Sequence, residues 1–288
     1  MDTAGEMTTG PVSAAGAPDA APYRAPLSAA ALRGALSGRG ARWQDVRVVT
    51  ETGSTNTDLL ADARNGAPEG VVLAAESQTA GRGRLGRRWA SPPRAALTFS
   101  VLLLPRGVPP GSKGWVPLLA GVAVASALRS AAGVDARLKW PNDVLVHGAK
   151  VAGILAEQSG DAIVVGTGIN VSTRADELPA AGATSLALAG AVCTDRQYLL
   201  ACVLAEMEHW YLAWAGAVAR PEPGGPDGGL RAEYLRLSAT VGSPVRVSLP
   251  GGQVLTGTAS GVDEAGRLVI AAPSGLVPVS AGDVVHLR

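Results

Sequence analysis

The sequence predicts an α+β protein with a larger domain of mixed strands and helices and a small C-terminal β-barrel or sandwich. The chain has 288 residues, of which 47% are hydrophobic, enough for one substantial core and a smaller second one. From Val46 onward, hairpin-like turns outnumber long crossovers. After residue 238 only short alternating segments follow, separated by Pro-Gly-Gly, Asp-Glu-Ala-Gly and Pro-Ser-Gly turns. We expect one domain over 28–238, a second over 239–288, and a disordered tail over 1–27, where large apolar side chains are almost absent.

Each element follows from its local pattern, taken in chain order. Residues 28–42 predict one short helix, and 46–52 predict a strand. Ser54, Thr55 and Asn56 supply cap residues for a helix that ends at Asn65-Gly66. Apolar runs bounded by turns predict strands at 71–75, 97–104, 137–140, 144–146, 150–157 and 162–168, and in the small domain at 245–249, 254–260, 268–271 and 277–280. Helices are predicted at 117–131, 195–215 (with both cysteines) and 230–237, and a loop at 219–229.

Composition argues against several classes of protein. The formal net charge of +1 disfavours a general nucleic-acid binder, which would have a basic face. Cys193 and Cys202 lack the paired Cys/His spacing of a zinc site, and we expect free thiols in a reducing compartment. The first residues have no basic region followed by an apolar run, and the longest apolar segment, 115–128, is interrupted by Pro117 and Gly121. These features predict a soluble, cytoplasmic protein without a membrane span.

The most distinctive segment is 81–90, with the sequence Gly-Arg-Gly-Arg-Leu-Gly-Arg-Arg-Trp-Ala. Four guanidiniums on a backbone that is free to turn make a loop able to close over an anion. A plain solvated basic loop is the alternative, but the segment lies between two apolar runs and ends in Trp89, a costly residue to leave in solvent. Its glycines match the dinucleotide fingerprint, yet Ser91-Pro92-Pro93 blocks the helix which that fingerprint requires. The chain also has no Gly-Lys-Ser/Thr, which excludes a P-loop.

Three further segments are ambiguous when taken alone. Asn142 and Asp143 are typical turn residues, or else oxygen ligands for Mg²⁺ carried by phosphates. Lys150 begins an apolar strand, where a lysine is either a solvated edge residue or a site cation. Residues 54–56 and Gln78 either cap a helix or form hydrogen bonds with a neutral polar ligand.

In combination these segments are specific. The order Ser-Thr-Asn, Gln-x-x-Gly-Arg-Gly-Arg-x-Gly-Arg-x-Trp, Lys-Trp-Pro-Asn-Asp, Lys-x-x-Gly-Ile-Leu-x-Glu and Gly-x-Asn resembles the biotin protein ligases, the ligases that act on acetyl-CoA carboxylase. The resemblance runs from about Val46 to the C-terminus. In the last domain it lies only in the general pattern of short strands and turns, not in specific motifs. It implies a mixed-sheet catalytic domain of the biotin/lipoate ligase type followed by an SH3-like β-barrel.

The resemblance also implies a reaction. Biotin and Mg²⁺-ATP would form biotinyl-5′-AMP and pyrophosphate, and the adenylate would then acylate a lysine of the biotin carboxyl carrier domain of an acyl-CoA carboxylase. Catalysis is assigned to Arg82, Arg84, Arg87, Lys150 and Asp143, with Asp143 as the Mg²⁺ ligand. Biotin contacts are assigned to Ser54, Thr55, Asn56, Gln78, Arg82, Gly83, Arg84, Lys150 and Gly153. Nucleotide contacts are assigned to Arg84, Arg87, Trp89, Asn142, Lys150 and Asn170.

Two other functions compete with this hypothesis. Lipoate or octanoate protein ligases use the same adenylation chemistry on a related fold, although the Arg/Gly segment and the small C-terminal domain favour biotin. A non-enzymatic biotin-sensing protein is the second alternative. Some biotin ligases carry an N-terminal helix-turn-helix and act as repressors, a pattern absent from residues 1–27, so we expect a ligase-only type that binds no DNA and no membrane. Its expected oligomeric state is a monomer or a weak homodimer.

Overall fold

The computed structural model describes residues 24–37, 42–178, 182–219, 229–249 and 251–287. These residues form two units, a seven-stranded mixed sheet packed against helices and a separate five-stranded antiparallel sheet. The predicted α+β class is therefore confirmed.

The elements follow one another in this order. The first unit contains α1 Ala29–Leu36, β1 Asp45–Val49, α2 Thr55–Arg64, β2 Val71–Ala75, β3 Ala96–Leu103, α3 Val116–Ala131, β4 Arg137–Lys139, β5 Asp143–Val146, β6 Ala149–Ser159, β7 Ala162–Asn170, α4 Arg196–Ala219 and α5 Leu230–Leu237. The second unit contains β8 Pro244–Ser248, β9 Val254–Val262, β10 Leu268–Ala272, β11 Gly275–Val279 and β12 Asp283–His286.

The large sheet has the strand order β1-β2-β3-β7-β6-β5-β4. Only β1 and β2 are parallel, and every other neighbouring pair is antiparallel, as the hairpin-like turns predict. All eight residues of β3 are buried, because helices cover both faces of this central strand. Alternate side chains of β3 divide between the two faces: Phe99 and Val101 join the core under α3 and α4, whereas Leu102 packs with Leu59 of α2.

The C-terminal sheet has the order β11-β10-β9-β8-β12, and its buried apolar residues, such as Val247 and Ile270, are continuous with the core of the first unit. It contacts the first unit through the turn at 263–266. The indole Nε1 of Trp115 donates to Glu264 O at 3.0 Å, and that of Trp140 donates to Gly266 O at 3.4 Å. This contact places the turn of the small domain directly behind the Trp140-Pro141-Asn142 segment.

Several sequence-based expectations need correction. The tail expected to be disordered reaches residue 27, but Arg24–Leu27 is ordered against the first unit, and Leu27 is buried; residues 1–23 lie outside the described residues. The first helix ends at Leu36 rather than at 42. Cys193 precedes α4 instead of lying within it. Most of the expected loop at 219–229 also lies outside the described residues, although residue 219 itself ends α4. The strand β12 was not predicted.

Among the described residues, one helical stretch is long and apolar enough to cross a membrane, at 110–131. It consists of a short 3-10 turn and α3. Sixty-seven per cent of its most apolar window is buried inside the fold, which is the environment of a core helix.

Candidate functional site

A cavity of about 450 Å³ lies on the α2 side of the large sheet, beneath the segment 79–90, which we call the Arg/Gly loop. All fourteen residues assigned to the site from the sequence line this cavity: Ser54, Thr55, Asn56, Gln78, Arg82, Gly83, Arg84, Arg87, Trp89, Asn142, Asp143, Lys150, Gly153 and Asn170. Six different segments of chain contribute to the set. The fold therefore brings together segments that are up to 116 residues apart in the sequence, Ser54 and Asn170.

The floor of the cavity is made by alternate residues of the three central strands. β3 and β7 are antiparallel, with Thr98 opposite Gly168 on the floor. Ser100, opposite Gly166, lies beneath Thr55 and Asn56 and does not itself line the cavity. β6 continues the same layer through Gly153, which pairs with Gly168. The period of two along each strand puts these small or polar residues on the α2 side and leaves large apolar residues for the opposite core.

Two glycines of β7 make room for side chains that lie on this floor. A Cβ at Gly166 would lie 2.1 Å from Asn56 Oδ1, and one at Gly168 would lie 2.3 Å from the Trp89 ring. Real Cβ atoms do not approach other atoms so closely, so both positions require glycine. Trp89 therefore packs flat over β7 and closes one wall of the cavity.

The Arg/Gly loop is an ordered miniature hairpin. Gly83 N donates to Arg87 O at 2.7 Å, and Trp89 N donates to Gly81 O at 3.0 Å. Leu85 stands at its tip with a left-handed backbone, φ 56°, and a side chain that is 68% exposed. The hairpin holds its arginines over the cavity from one edge.

The four predicted catalytic cations each have a partner. Arg84 Nη1 donates to Asn142 Oδ1 at 3.2 Å, and Lys150 Nζ forms an ion pair with Asp143 Oδ1 at 2.6 Å. Arg82 Nη2 lies 3.0 Å from Glu157 Oε1. Arg87 forms an ion pair with Asp283 of the C-terminal sheet. Burial lowers the pKa of the Arg84 guanidinium, which still remains charged at any ordinary pH.

A chain of polar contacts crosses the floor and returns to the loop. Gln78 Oε1 accepts from Thr55 N at 2.8 Å, and Thr55 Oγ1 lies 2.7 Å from Ser100 Oγ. Ser100 Oγ donates to Asn56 Oδ1 at 2.6 Å, and Asn56 Nδ2 donates to Glu157 Oε2 at 2.9 Å. Glu157 in turn forms the ion pair with Arg82 of the Arg/Gly loop that is described above.

Ser100 and Glu157 were not assigned to the site from the sequence. Glu157 ends the Lys-x-x-Gly-Ile-Leu-x-Glu pattern and could have been included for that reason. Ser100 is one of two hydroxyl residues in an otherwise apolar strand, a signal too weak to stand out.

Asn142 and Asn170 hold backbone as well as line the cavity. Asn142 Nδ2 donates to Ile154 O at 2.9 Å and so ties the Lys-Trp-Pro-Asn-Asp turn to β6. Asn170 Nδ2 donates to Thr184 O at 3.0 Å, which leaves its Oδ1 as the end available to a ligand. Both amides are thus fixed in orientation by carbonyl oxygens that can only accept.

The donor set for a metal ion is small. Among the described residues, no group of three or more His, Cys, Asp or Glu side chains could enclose a metal. Asp143 is the one carboxylate among the described residues that line the cavity. A single carboxylate fits Mg²⁺ that arrives with phosphates and keeps waters as its other ligands, but it does not fit a metal held by protein alone.

Comparison with known proteins agrees across sequence and structure. The biotin/lipoate A/B protein ligase family model matches residues 48–173, and the biotin protein ligase C-terminal domain model matches 240–287. The biotin–[acetyl-CoA-carboxylase] ligase of Mycobacterium tuberculosis is 46% identical over 269 residues, 92% of this chain and 97% of that protein. The bifunctional ligase/repressor BirA of Escherichia coli is 32% identical, over 83% of this chain and 73% of that protein.

Among solved structures, the biotin protein ligase of Aquifex aeolicus in complex with biotin and ATP superimposes with a TM-score of 0.70 and 30% sequence identity. The superposition covers 85% of this chain and 99% of that one.

Proposed function

The chain belongs to the biotin protein ligase family, and from that premise we propose that it joins biotin to a lysine of a biotin carboxyl carrier domain at the expense of ATP. The observation that carries the proposal is the division of one cavity into two chemical halves. Thr55, Asn56 and Gln78 form one group of neutral polar contacts against β3. Arg84 and Lys150 contact Asn142 and Asp143 at the start of β5, three strands further along the sheet. Biotin has the matching division, a neutral cyclic urea at one end and a carboxylate at the other.

In the first step the biotin carboxylate attacks the α-phosphorus of ATP. A new bond forms between a carboxylate oxygen of biotin and the α-phosphorus. The bond from the α-phosphorus to the oxygen that bridges it to the β-phosphorus breaks, and pyrophosphate leaves. Two anions must be brought together, so fixed cations that face the developing charge lower the barrier. We assign this work to Arg84, Arg87 and Lys150, with Arg82 at the rim.

The present partners of two of these cations support the assignment. Lys150 and Arg87 each face a carboxylate, of Asp143 and Asp283. A carboxylate or phosphate oxygen of a substrate can replace the aspartate carboxylate beside each cation. The cation then remains paired, and the aspartate is released. Asp143, once released, is the residue that would hold Mg²⁺, which supplies charge neutralisation on the phosphates when bound.

In the second step the lysine amine of the carrier domain attacks the activated carbonyl, and AMP leaves. The amine loses a proton as the amide bond forms. We assign the orientation of that amine to Asp143. The nucleotide is assigned to Trp89, Asn142 and Asn170 together with the cations. We place the reaction in the cytoplasm, where biotin, ATP and carrier domains are available together.

The test is the reaction itself, with purified chain, biotin, Mg²⁺-ATP and an isolated carrier domain. Mass spectrometry of the carrier should show the mass of one biotinyl group on a single lysine, only when ATP is present. Transfer of lipoate or octanoate instead of biotin would support the lipoyl-type alternative. Biotin binding without ATP-dependent pyrophosphate release would support a sensing protein and contradict the ligase.

A further inference from the structure

Ser100 is a buried residue behind the cavity that contacts two residues facing it. Its side chain has 0% exposure and does not line the cavity. Its hydroxyl lies 2.6 Å from Asn56 Oδ1 and 2.7 Å from Thr55 Oγ1. The direction of these two hydrogen bonds follows from the groups around them.

Asn56 determines where the Ser100 proton goes. Asn56 Nδ2 donates to Leu155 O at 3.1 Å and to Glu157 Oε2. The carbonyl of Leu155 can only accept, so the amide nitrogen must lie on that side and Oδ1 must face Ser100. Since Oδ1 has no proton to give, the single hydroxyl proton of Ser100 is directed to Asn56.

Thr55 must then donate to Ser100. Its hydroxyl also lies 3.1 Å from Gln78 Oε1, but the two hydroxyl protons of Thr55 and Ser100 cannot serve three contacts. The two shorter contacts take them. Gln78 Oε1 accepts a hydrogen bond from the backbone N–H of Thr55. Because this contact fixes the oxygen end of the Gln78 amide, the Nε2 end is left to contact a ligand.

We propose that Ser100 is a specificity-determining positioning residue, which keeps Thr55 Oγ1 an acceptor toward the ligand. This inference rests on the proposed function, because the ligand group that needs such an acceptor is a ring N–H of the cyclic urea. Gln78 Nε2, and the Ser54 hydroxyl, which does not cap α2, supply donors for the urea oxygen. The pocket thus presents donors to the urea oxygen and an acceptor to one of the two ring N–H groups.

Removal of the Ser100 hydroxyl changes this polarity. The Thr55 proton loses its acceptor and becomes free to turn toward Gln78 or toward the ligand. With the proton on Gln78 Oε1, Thr55 still accepts from the ligand, whereas with the proton toward the ligand it donates, so both polarities become accessible. The pocket should no longer discriminate between a ring N–H and a ring oxygen at that position, while its shape stays the same.

The experiment compares biotin with the two cyclic carbamate analogues in which one or the other ring N–H is replaced by oxygen. Calorimetric titration of the wild-type chain should show that at least one carbamate binds roughly tenfold more weakly than biotin. Ser100→Ala should reduce that preference for biotin about tenfold, mainly through weaker binding of biotin. Ser100→Thr, which restores a hydroxyl, should recover the wild-type preference.

Ser185→Ala is the matched control, because Ser185 is equally buried and its hydroxyl donates to the backbone Thr173 O outside the polar chain. It should lower the unfolding temperature and leave the preference unchanged. If Ser100→Ala does not fold, Ser100→Cys fills a similar volume with a weakly hydrogen-bonding group. It should show the same reduced preference for biotin over the carbamate analogues. An unchanged preference in the folded Ser100 variant would overturn the inference alone, whereas failure of the wild-type chain to bind biotin would overturn the proposed function with it.

Discussion

At the scale of single residues, Arg84 differs from the other cations of the cavity in the partner that it has. Its guanidinium donates to the neutral amide of Asn142, whereas Arg82, Arg87 and Lys150 face carboxylates. A neutral partner cancels none of the charge. Arg84 is also desolvated, since its burial lowers the pKa of the guanidinium. A half-buried charge that is not paired directly with a carboxylate acts more strongly on charge that develops in the transition state than a paired one does.

Arg84→Ala should therefore reduce adenylate formation more than it reduces biotin binding. Loss of one fixed donor at a developing charge costs roughly 100-fold in rate, by analogy with other sites of electrostatic stabilisation. Pyrophosphate release with saturating biotin and ATP measures the effect. Arg106→Ala, which removes the same charge from an exposed position outside the cavity, should keep the wild-type rate. Equal rates for both variants would remove Arg84 from the mechanism.

The polar chain shows why residue roles were only partly predictable from the sequence. Arg84, Lys150 and Asn142 stand in distinctive local patterns, so they could be singled out without a structure. Ser100 could not, because its importance comes from Thr55 and Asn56, which are more than forty residues away in the sequence. A single serine in an apolar strand carries no local sign of such contacts.

At the scale of elements, β7 is the strand on which the cavity depends. Its alternate glycines admit Asn56 and Trp89 on one face, and its apolar residues Val165 and Ile169 fill the core on the other. The strand therefore separates ligand space from hydrophobic space by its pleat alone.

Gly168→Ala should disturb this separation. The new methyl group would lie 2.3 Å from the Trp89 ring, so Trp89 and the adjoining Arg/Gly loop must shift. Overpacking of this kind costs about 1–3 kcal/mol. We expect a lower midpoint of urea unfolding and a loss of biotin affinity of about tenfold or more by calorimetric titration.

Gly216→Ala is the control for this substitution. Gly216 lies in α4 with nothing within 4 Å of an added Cβ, so alanine should stabilise the helix by up to about 1 kcal/mol. A Gly168→Ala variant that matched it in stability and affinity would show that Trp89 does not need the glycine.

Most elements could be predicted because apolar period and turn residues are local properties. Strand 71–75 and helix 230–237 have the predicted bounds. The four-residue strand β12 was missed because only its pairing with β8 makes it a strand. Residues 24–27 were assigned to a disordered tail because their order comes from polar contacts with distant residues, which composition does not reveal.

At the scale of the whole molecule, one buried ion pair joins the N-terminal segment, α4 and both ends of the Arg/Gly loop. Glu76 and Arg196 are each 5% exposed, with Glu76 Oε2 2.7 Å from Arg196 Nη2, off the line of the N–H bond and hence an ion pair rather than a directed hydrogen bond. Arg196 also donates to Ala25 O and Ala96 O, and Glu76 O accepts from Arg94 N. The strand ends that enter and leave the loop are thus held together from beneath.

Arg196→Met should be among the most destabilising single changes outside the apolar core. It leaves the Glu76 carboxylate buried without its cation, a change that costs about 3–5 kcal/mol.

Arg47→Met is the control for this substitution. It breaks the exposed contacts of Arg47 with Asp45 and Asp62 and should cost less than about 1 kcal/mol. Urea unfolding measures both. The double variant Glu76→Gln/Arg196→Met removes both charges and should recover much of the loss in stability. A double variant no more stable than Arg196→Met would show that the pair acts through packing rather than through charge.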